Sequence, residues 1–165
     1  MAITRLNNNS ITSVTALPSG IDVGKIGQVV HYKITDTSTI TSGSYVDATG
    51  FTTLNITPSS TSSKIYINAS INVSFDNHST GQFYLRLRLL RGATEIEEYV
   101  PTSNYGTAIG INTAFNTLDS PNTTSQVTYK FQVLRAGSGG TSAKLNSGYA
   151  ATPFASYVTL MEVLA

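Results

Sequence analysis

The side chains that do metal or nucleophilic chemistry are scarce in this sequence. It has two histidines, His31 and His78, and no cysteine. A metal centre needs several convergent ligands. His31 sits beside Tyr32 in a strand-like stretch, His78 sits in the turn Asp76-Asn77-His78-Ser79-Thr80-Gly81, and neither has a carboxylate at a spacing that completes a ligand set. A Ser/His/Asp triad assembles from distant positions, so a hydrolase stays open as a third class of reading. The nucleophile elbow Gly-x-Ser-x-Gly is absent, however. Glu95, Glu97 and Glu98 cluster on one stretch. A glycosidase needs two carboxylates flanking its substrate bond, whereas Glu95 and Glu97 read as exposed partners of nearby arginines. Gly137-Ser138-Gly139-Gly140 lacks the Lys-Ser/Thr that follows in a phosphate loop, and reads as a β-turn. These residues lead us to expect no catalytic site, no cofactor and no metal.

Recognition chemistry is better represented. There are nine tyrosines and no tryptophan, and Tyr45, Tyr99, Tyr105, Tyr149 and Tyr157 fall in or near loops and strand ends. Tyrosine offers an apolar body with a polar tip, which suits interfaces. Among Ser, Asn and Gly, such residues read either as half-buried rim tyrosines or as a carbohydrate- or protein-binding surface. On the second reading His78, Tyr105 and Tyr149 mark receptor or partner loops, and Tyr105 or Tyr149 would meet a host-surface glycan. Asn68-Ala69-Ser70 and Asn72-Val73-Ser74 match the glycosylation acceptor pattern. They lie within a strand pattern and arise readily from an Asn/Ser/Thr-rich composition.

The elements that must position these residues are strands. Ile65, Ile67, Ala69, Ile71, Val73 and Phe75 alternate with Tyr66, Asn68, Ser70, Asn72 and Ser74. Successive strand side chains point to opposite faces, so 64–75 has a buried face and a wet face, and its register is strongly specified. The same alternation recurs in Phe83, Leu85, Leu87 and Leu89, and in Val127, Tyr129, Phe131 and Val133. Arg91-Gly92-Ala93-Thr94 is a tight turn that returns Glu95–Val100 as a hairpin partner, placing Glu95 and Glu97 across from Arg86 or Arg88. Other strands are expected at 28–37, 45–48, 51–56, 113–119, 143–146 and 156–163, and residues 101–112 read as a long exposed loop. Many short strands with turn signals predict an antiparallel sandwich or barrel. A two-sheet jelly roll fits best, with an immunoglobulin-like sandwich second.

Composition sets the remaining bounds. A chain of 165 residues suits one domain, which buries about 70% of its unfolded surface. Net charge is +1 and charged residues are 12%, so the basic patch of a nucleic-acid binder is not expected. No stretch of about 18 apolar residues would cross a membrane, and the N-terminus lacks a secretory h-region. Residues 1–27 differ from the body at 28–165. Their aliphatics Ile3, Leu6, Ile11, Val14, Leu17, Ile21, Val23 and Ile26 are spaced singly. The Ile11, Val14, Leu17, Ile21 spacing suits a short helix, but Thr12, Ser13, Val14 and Thr15 are poor helix formers and Pro18 ends any helix. An extended segment results, read as a loose tail or as an arm that buries its aliphatics in another subunit or particle. The aliphatics favour the arm.

Three segments together resemble short structural proteins of tailed bacteriophages, especially aquatic ones. They are Thr15-Ala16-Leu17-Pro18-Ser19-Gly20-Ile21-Asp22-Val23-Gly24-Lys25-Ile26-Gly27-Gln28-Val29, then Ile56-Thr57-Pro58-Ser59-Ser60-Thr61-Ser62-Ser63-Lys64-Ile65, and finally Tyr157-Val158-Thr159-Leu160-Met161-Glu162-Val163. Those proteins are virion fibre or decoration proteins, and no catalytic residue is carried over from them. The resemblance implies a jelly-roll homotrimer on the virion surface, made in the host cytoplasm and tethered to capsid, tail or baseplate proteins by its N-terminal arm. This sequence departs from them in lacking a long shaft repeat after the arm. Apolar residues on both faces of 156–163, among them Tyr157, Leu160, Met161 and Val163, mark either a trimer seam or a central strand.

Overall fold

The computed structural model describes residues 25–75, 83–104, 109–137, 142–147 and 154–164. These form an all-β sandwich of the jelly-roll kind, two antiparallel sheets enclosing one core, with no helix among the described residues. The central strand of the larger sheet is β5 (Lys64–Phe75). Its inward residues Ile65, Ile67, Ala69, Ile71, Val73 and Phe75 are each no more than 2% exposed, as the alternation requires. Along one edge β5 pairs with β8 (Ile109–Asp119) without interruption, from Ile65↔Asp119 to Phe75↔Ile109. Its other edge is shared. β11 (Ser156–Leu164) pairs with residues 64–70, and β10 (Ala143–Leu145) with residues 73–75. β1 (Lys25–Ile34) flanks β11, and β2 (Ser38–Ile40) flanks β10.

The smaller sheet is built on β9 (Val127–Gly137). β6 (Phe83–Arg91) lies on one side of it, followed by β7 (Thr94–Asn104). β3 (Val46–Asp47) and β4 (Leu54–Ile56) share the other side. Between β3 and β4 the chain turns at Gly50, whose φ of +80° suits glycine alone. A Cβ there would also lie 2.6 Å from Ile34 Cγ2. The turn drives Phe51 into the core, where it meets Phe131 edge-on at 6.0 Å, and Phe131 meets Phe115 of the opposite sheet at 5.5 Å. This aromatic train spans the sandwich, in the geometry that ring quadrupoles prefer.

Three polar ties close the sandwich where apolar packing thins. The Tyr32 hydroxyl donates to Asn55 O at 2.9 Å and accepts from Asn55 N–H at 2.7 Å. Asp119, at the end of β8, accepts from Arg91 and from the buried Tyr129 hydroxyl, each at 2.6 Å. Burial first, and then Asp119, push the Tyr129 hydroxyl far above the usual tyrosine range. The third tie, Glu162, lies at the end of β11.

Two expectations change. Of the stretch 101–112, expected as a long loop, residues 101–104 continue β7 and 109–112 begin β8, while 105–108 lie outside the described residues. Pairing with β6 holds the first piece and pairing with β5 the second, despite weak local propensity. The first strand starts at Lys25 rather than Gln28, since Lys25 and Ile26 pair with Leu164 and Val163.

The shared edge of β5 needs a junction, and Asn72 is the residue left between the two partner strands. Its N–H donates to Ser156 Oγ at 2.9 Å, its C=O accepts from Asn146 N–H at 3.0 Å, and its side-chain amide donates to Ala155 O. Asn146 is fully buried with φ of +54°. Its Oδ1 accepts from the Ser156 hydroxyl, its Nδ2 donates to Asp36 O at 2.9 Å, and its C=O accepts from Phe154 N–H at 2.9 Å. Asn tolerates the left-handed region better than other branched or apolar residues. Asn146→Ala leaves Ser156 and the Asp36 carbonyl unpaired in the interior, and the expected loss is about 3 kcal/mol of unfolding free energy in urea. Asn146→Gly removes the same bonds but keeps the backbone, and is expected to be less damaging by about 1 kcal/mol. Equal stability of Asn146→Ala and the parent chain would contradict this account of the junction.

Candidate functional site

The outer faces of the two sheets differ in chemistry. On the smaller sheet the outward residues are charged and paired among themselves. Arg88 bonds Glu95 at 2.8 Å and Gln132 at 2.9 and 2.7 Å, and its guanidinium lies 4.0 Å from the Tyr45 ring centre. Arg86 bonds Glu98 at 3.0 Å, and Lys130 bonds Asp47 at 2.9 Å. Bonds from Gln132 and Lys130 hold Asp47 below the usual carboxylate range. Burial and the neighbouring Glu98 push the Tyr45 hydroxyl up to about 12. Exposed pairs of this kind contribute about 0–1 kcal/mol each. They also leave this face with its charges already matched. The sequence expectation of Glu95 and Glu97 as the arginine partners holds for Glu95 alone. A bulge between Leu89 and Leu90 places Glu97 opposite Leu89 and Glu98 opposite Arg88, so Glu98 takes the second arginine.

On the larger sheet the outer face carries Lys33, Lys64 and Lys144, each opposite uncharged residues in register, and an apolar row crosses it. Val29 of β1 pairs with Met161 of β11, Met161 with Tyr66 of β5, and Tyr66 with Leu118 of β8. Val29 is 55% exposed and Leu118 49%. Ile26, 60% exposed, and its partner Val163 extend the row at its β1 end. The next rows are polar: His31, Thr159, Asn68 and Asn116, then Lys33, Tyr157, Ser70 and Ala114. His31 stacks on Tyr157 at 5.7 Å, and its Nδ1 lies 2.9 Å from the Thr159 hydroxyl. Among the described residues no three His, Asp or Glu side chains are grouped so as to hold a metal ion.

The expected interface residues on β11 divide between its faces. Tyr157, Met161 and Val163 point outward, with Tyr157 exposed and the other two half-buried. Leu160 does not join them. The strand's alternation turns it with Val158 into the sandwich interior, where it is fully buried and closed to any partner chain. The central-strand reading accounts for its apolar character, since β11 lies between β1 and β5. Ile3, Leu6, Ile11, Val14, Leu17 and Ile21 lie outside the described residues, as do His78, Tyr105 and Tyr149. Val29, Tyr66 and Leu118 were missed as surface residues. The available signal was Tyr66, the one apolar residue on the otherwise polar phase of β5.

The base of the N-terminal segment is held by a buried carboxylate. Glu162 faces inward and is 1% exposed. It sits opposite two residues of β1, Gly27 and Gln28, because the register shifts between Ile26 and Val29. Its Oε1 accepts from Ser59 N–H at 2.6 Å and the Ser59 hydroxyl at 2.7 Å, and its Oε2 accepts from Gln28 Nε2 at 3.0 Å. Gly27 is needed for this approach, since a Cβ there would stand 2.8 Å from Oε2. Burial alone would raise the carboxyl pKa, but the bonds from Ser59 and Gln28 outweigh it and hold it down to about 2. A depressed carboxyl contributes stability above its unfolded pKa of about 4.3 and loses that contribution as pH falls through its folded value. Glu162→Gln is therefore expected to cost about 2 kcal/mol at pH 7. The gap from the parent chain should close between about pH 4.3 and about pH 2 in urea melts. A gap independent of pH over that window would refute the buried-carboxylate account.

No family model and no curated protein matches the sequence. Among solved structures the chain is similar to the VP2 subviral particle of infectious bursal disease virus, with a TM-score of 0.41 and 14% identity, covering 91% of this chain and 42% of that one. It is similar also to the T13 particle of the same virus, with a TM-score of 0.41 and 13% identity, covering 91% of this chain and 40% of that one. The chain spans less than half the length of either.

Proposed function

We propose that this chain is a virion structural protein of the tailed-bacteriophage kind that its three segments resemble. It would be a homotrimeric fibre, knob or capsid-decoration protein on the virion surface, attached by residues 1–27 to capsid, tail or baseplate proteins. The observation that carries the reading is the apolar row Val29–Met161–Tyr66–Leu118, continued by Ile26 and Val163. A contiguous apolar band on an outer sheet face signals a protein partner. It ends on β1, an edge strand whose exposed Ile26 and Val29 would invite stray association unless covered. Residues 1–24 join the fold at this same corner. The seam between copies is assigned to Tyr157, Met161 and Val163 with this row, and particle anchoring to Ile3, Leu6, Ile11, Val14, Leu17 and Ile21. Three arms per trimer multiply attachment through effective concentration.

Two measurements bear on the two halves of this reading. Val29→Lys with Leu118→Lys alters exposed positions only, and is expected to change stability by no more than about 0.5 kcal/mol per site. The sedimentation mass should drop from trimer to monomer at micromolar concentration. A trimer that persists in the double variant would remove the seam. Deletion of residues 1–24 is expected to leave a folded β-protein that no longer joins particles, and normal incorporation would remove the anchoring role.

A further inference from the structure

A groove of about 340 Å³ opens on the outer face of the larger sheet, at the end away from the apolar row. Asn72 and Ser74 of β5, Ile111 and Asn112 of β8, and Ser147 and Phe154 line it. We infer that this groove binds a neutral saccharide, with Asn72 and Asn112 bonding ring hydroxyls and Phe154 receiving the apolar face of the sugar ring. This site lies apart from the proposed seam and arm, and its occupancy does not depend on the virion reading.

The chemistry of the lining selects the ligand class. No Lys, Arg, Asp or Glu lines the groove, the charge adjoining it in register being Lys144 opposite Ser74, so its walls favour a neutral ligand over a phosphate, a sulfate or a charged peptide. What it offers is two amides side by side. Asn112 Nδ2 donates to Asn72 Oδ1 at 3.2 Å, Asn112 Oδ1 accepts from the Ser70 hydroxyl at 2.9 Å, and Asn72 Nδ2 donates to Ala155 O. An amide carries two N–H donors and two carbonyl lone pairs, so each asparagine keeps one donor and one acceptor beyond these bonds. Neighbouring hydroxyls on a sugar present the same alternation of donor and acceptor. Phe154 is 48% exposed, and its ring forms an apolar side that suits the C–H face of a pyranose. Most small-molecule sites pair a largely apolar wall with a few placed polar groups in this way.

The groove is also held in shape before any ligand arrives. Asn72 is fixed by its place between β11 and β10, and Phe154 by its N–H bond to the buried Asn146. Fixed groups lose little freedom on binding. Past the groove, Ser70 lies opposite the exposed Tyr157 of β11, and Asn68 lies beyond it opposite Thr159. The polar strip thus passes one aromatic ring at Phe154 and a second at Tyr157, which suits an oligosaccharide better than a single sugar.

The test is an NMR titration of the isotope-labelled full chain with maltohexaose, chitohexaose and an N-acetyllactosamine oligomer, each taken to millimolar concentration. The expected result is that at least one probe shifts the amides of Asn72, Gly110, Asn112 and Phe154. Phe154→Ala and Asn112→Ala should each weaken that probe by at least about tenfold. Both residues are exposed, and particle incorporation and trimer mass should stay as in the parent chain. The inference is overturned if none of the three probes shifts the groove amides, if the shifts map elsewhere, or if both variants bind as the parent does. Loss of particle incorporation on deleting residues 1–24, with saccharide binding intact, would separate the two proposals.

Discussion

The larger sheet rests on one unusual requirement: the far edge of β5 is paired by two different strands, and the gap between them must not leave a buried peptide group unpaired. Buried N–H and C=O groups nearly always find partners, because an orphan loses its hydration without return. Here the partners are Ser156 Oγ for the Asn72 N–H and the Asn146 N–H for its carbonyl. Asn146 in turn spends both its backbone groups and both ends of its amide on Asn72, Phe154, Ser156 and Asp36. Networks of this kind specify a unique arrangement when every member is satisfied. This one lies where β10 ends and β11 starts, and it holds the backbone of Phe154.

From that junction the two outer faces take different roles. The smaller sheet pairs Arg86 with Glu98, Arg88 with Glu95 and Lys130 with Asp47 across its outer face. The larger sheet carries an apolar row at one end and an amide-lined groove at the other, and places polar rows of Asn, Ser and Thr, with Lys33, between them. The N-terminal segment enters at the apolar end, where Glu162 is locked beneath the bulge at Gly27 and Gln28. A chain that meets other copies at one end of a sheet and small polar ligands at the other can do both without the two surfaces overlapping.

Some of this was legible in the residues and some was not. The long strand, its register and the hairpin at Gly92 follow from alternation and turn chemistry, which are local. The strand ends at 101–104 and 109–112 were hidden, because their Gly, Thr and Ser content resembles a loop and only pairing with β6 and β5 overrides it. Leu160 illustrates a second kind of error. It shares Val158's phase, opposite to Tyr157, Met161 and Val163, but both phases of 157–163 are largely apolar, and the stretch does not say which of them is the core. Glu97 was displaced as an arginine partner, and Glu98 put in its place beside Arg86, by a bulge that inserts one residue, a shift that alternation cannot register.

The sequence by itself determined the all-β sandwich, the buried face of each main strand, the poverty in charge and the distinct character of residues 1–27. Those are properties of composition and of a period of two residues, which any stretch carries within itself. Only the tertiary structure decided that Val29, Met161, Tyr66 and Leu118 form one row, that Asn72 and Asn112 lie side by side, and that Glu162 is buried with Ser59. The bond from Asn72 to Ser156 joins residues 84 apart, and that from Glu162 to Ser59 joins residues 103 apart. Alternation sets which face a side chain takes, whereas strand order and register set its neighbours, and these emerge only when the whole sheet assembles.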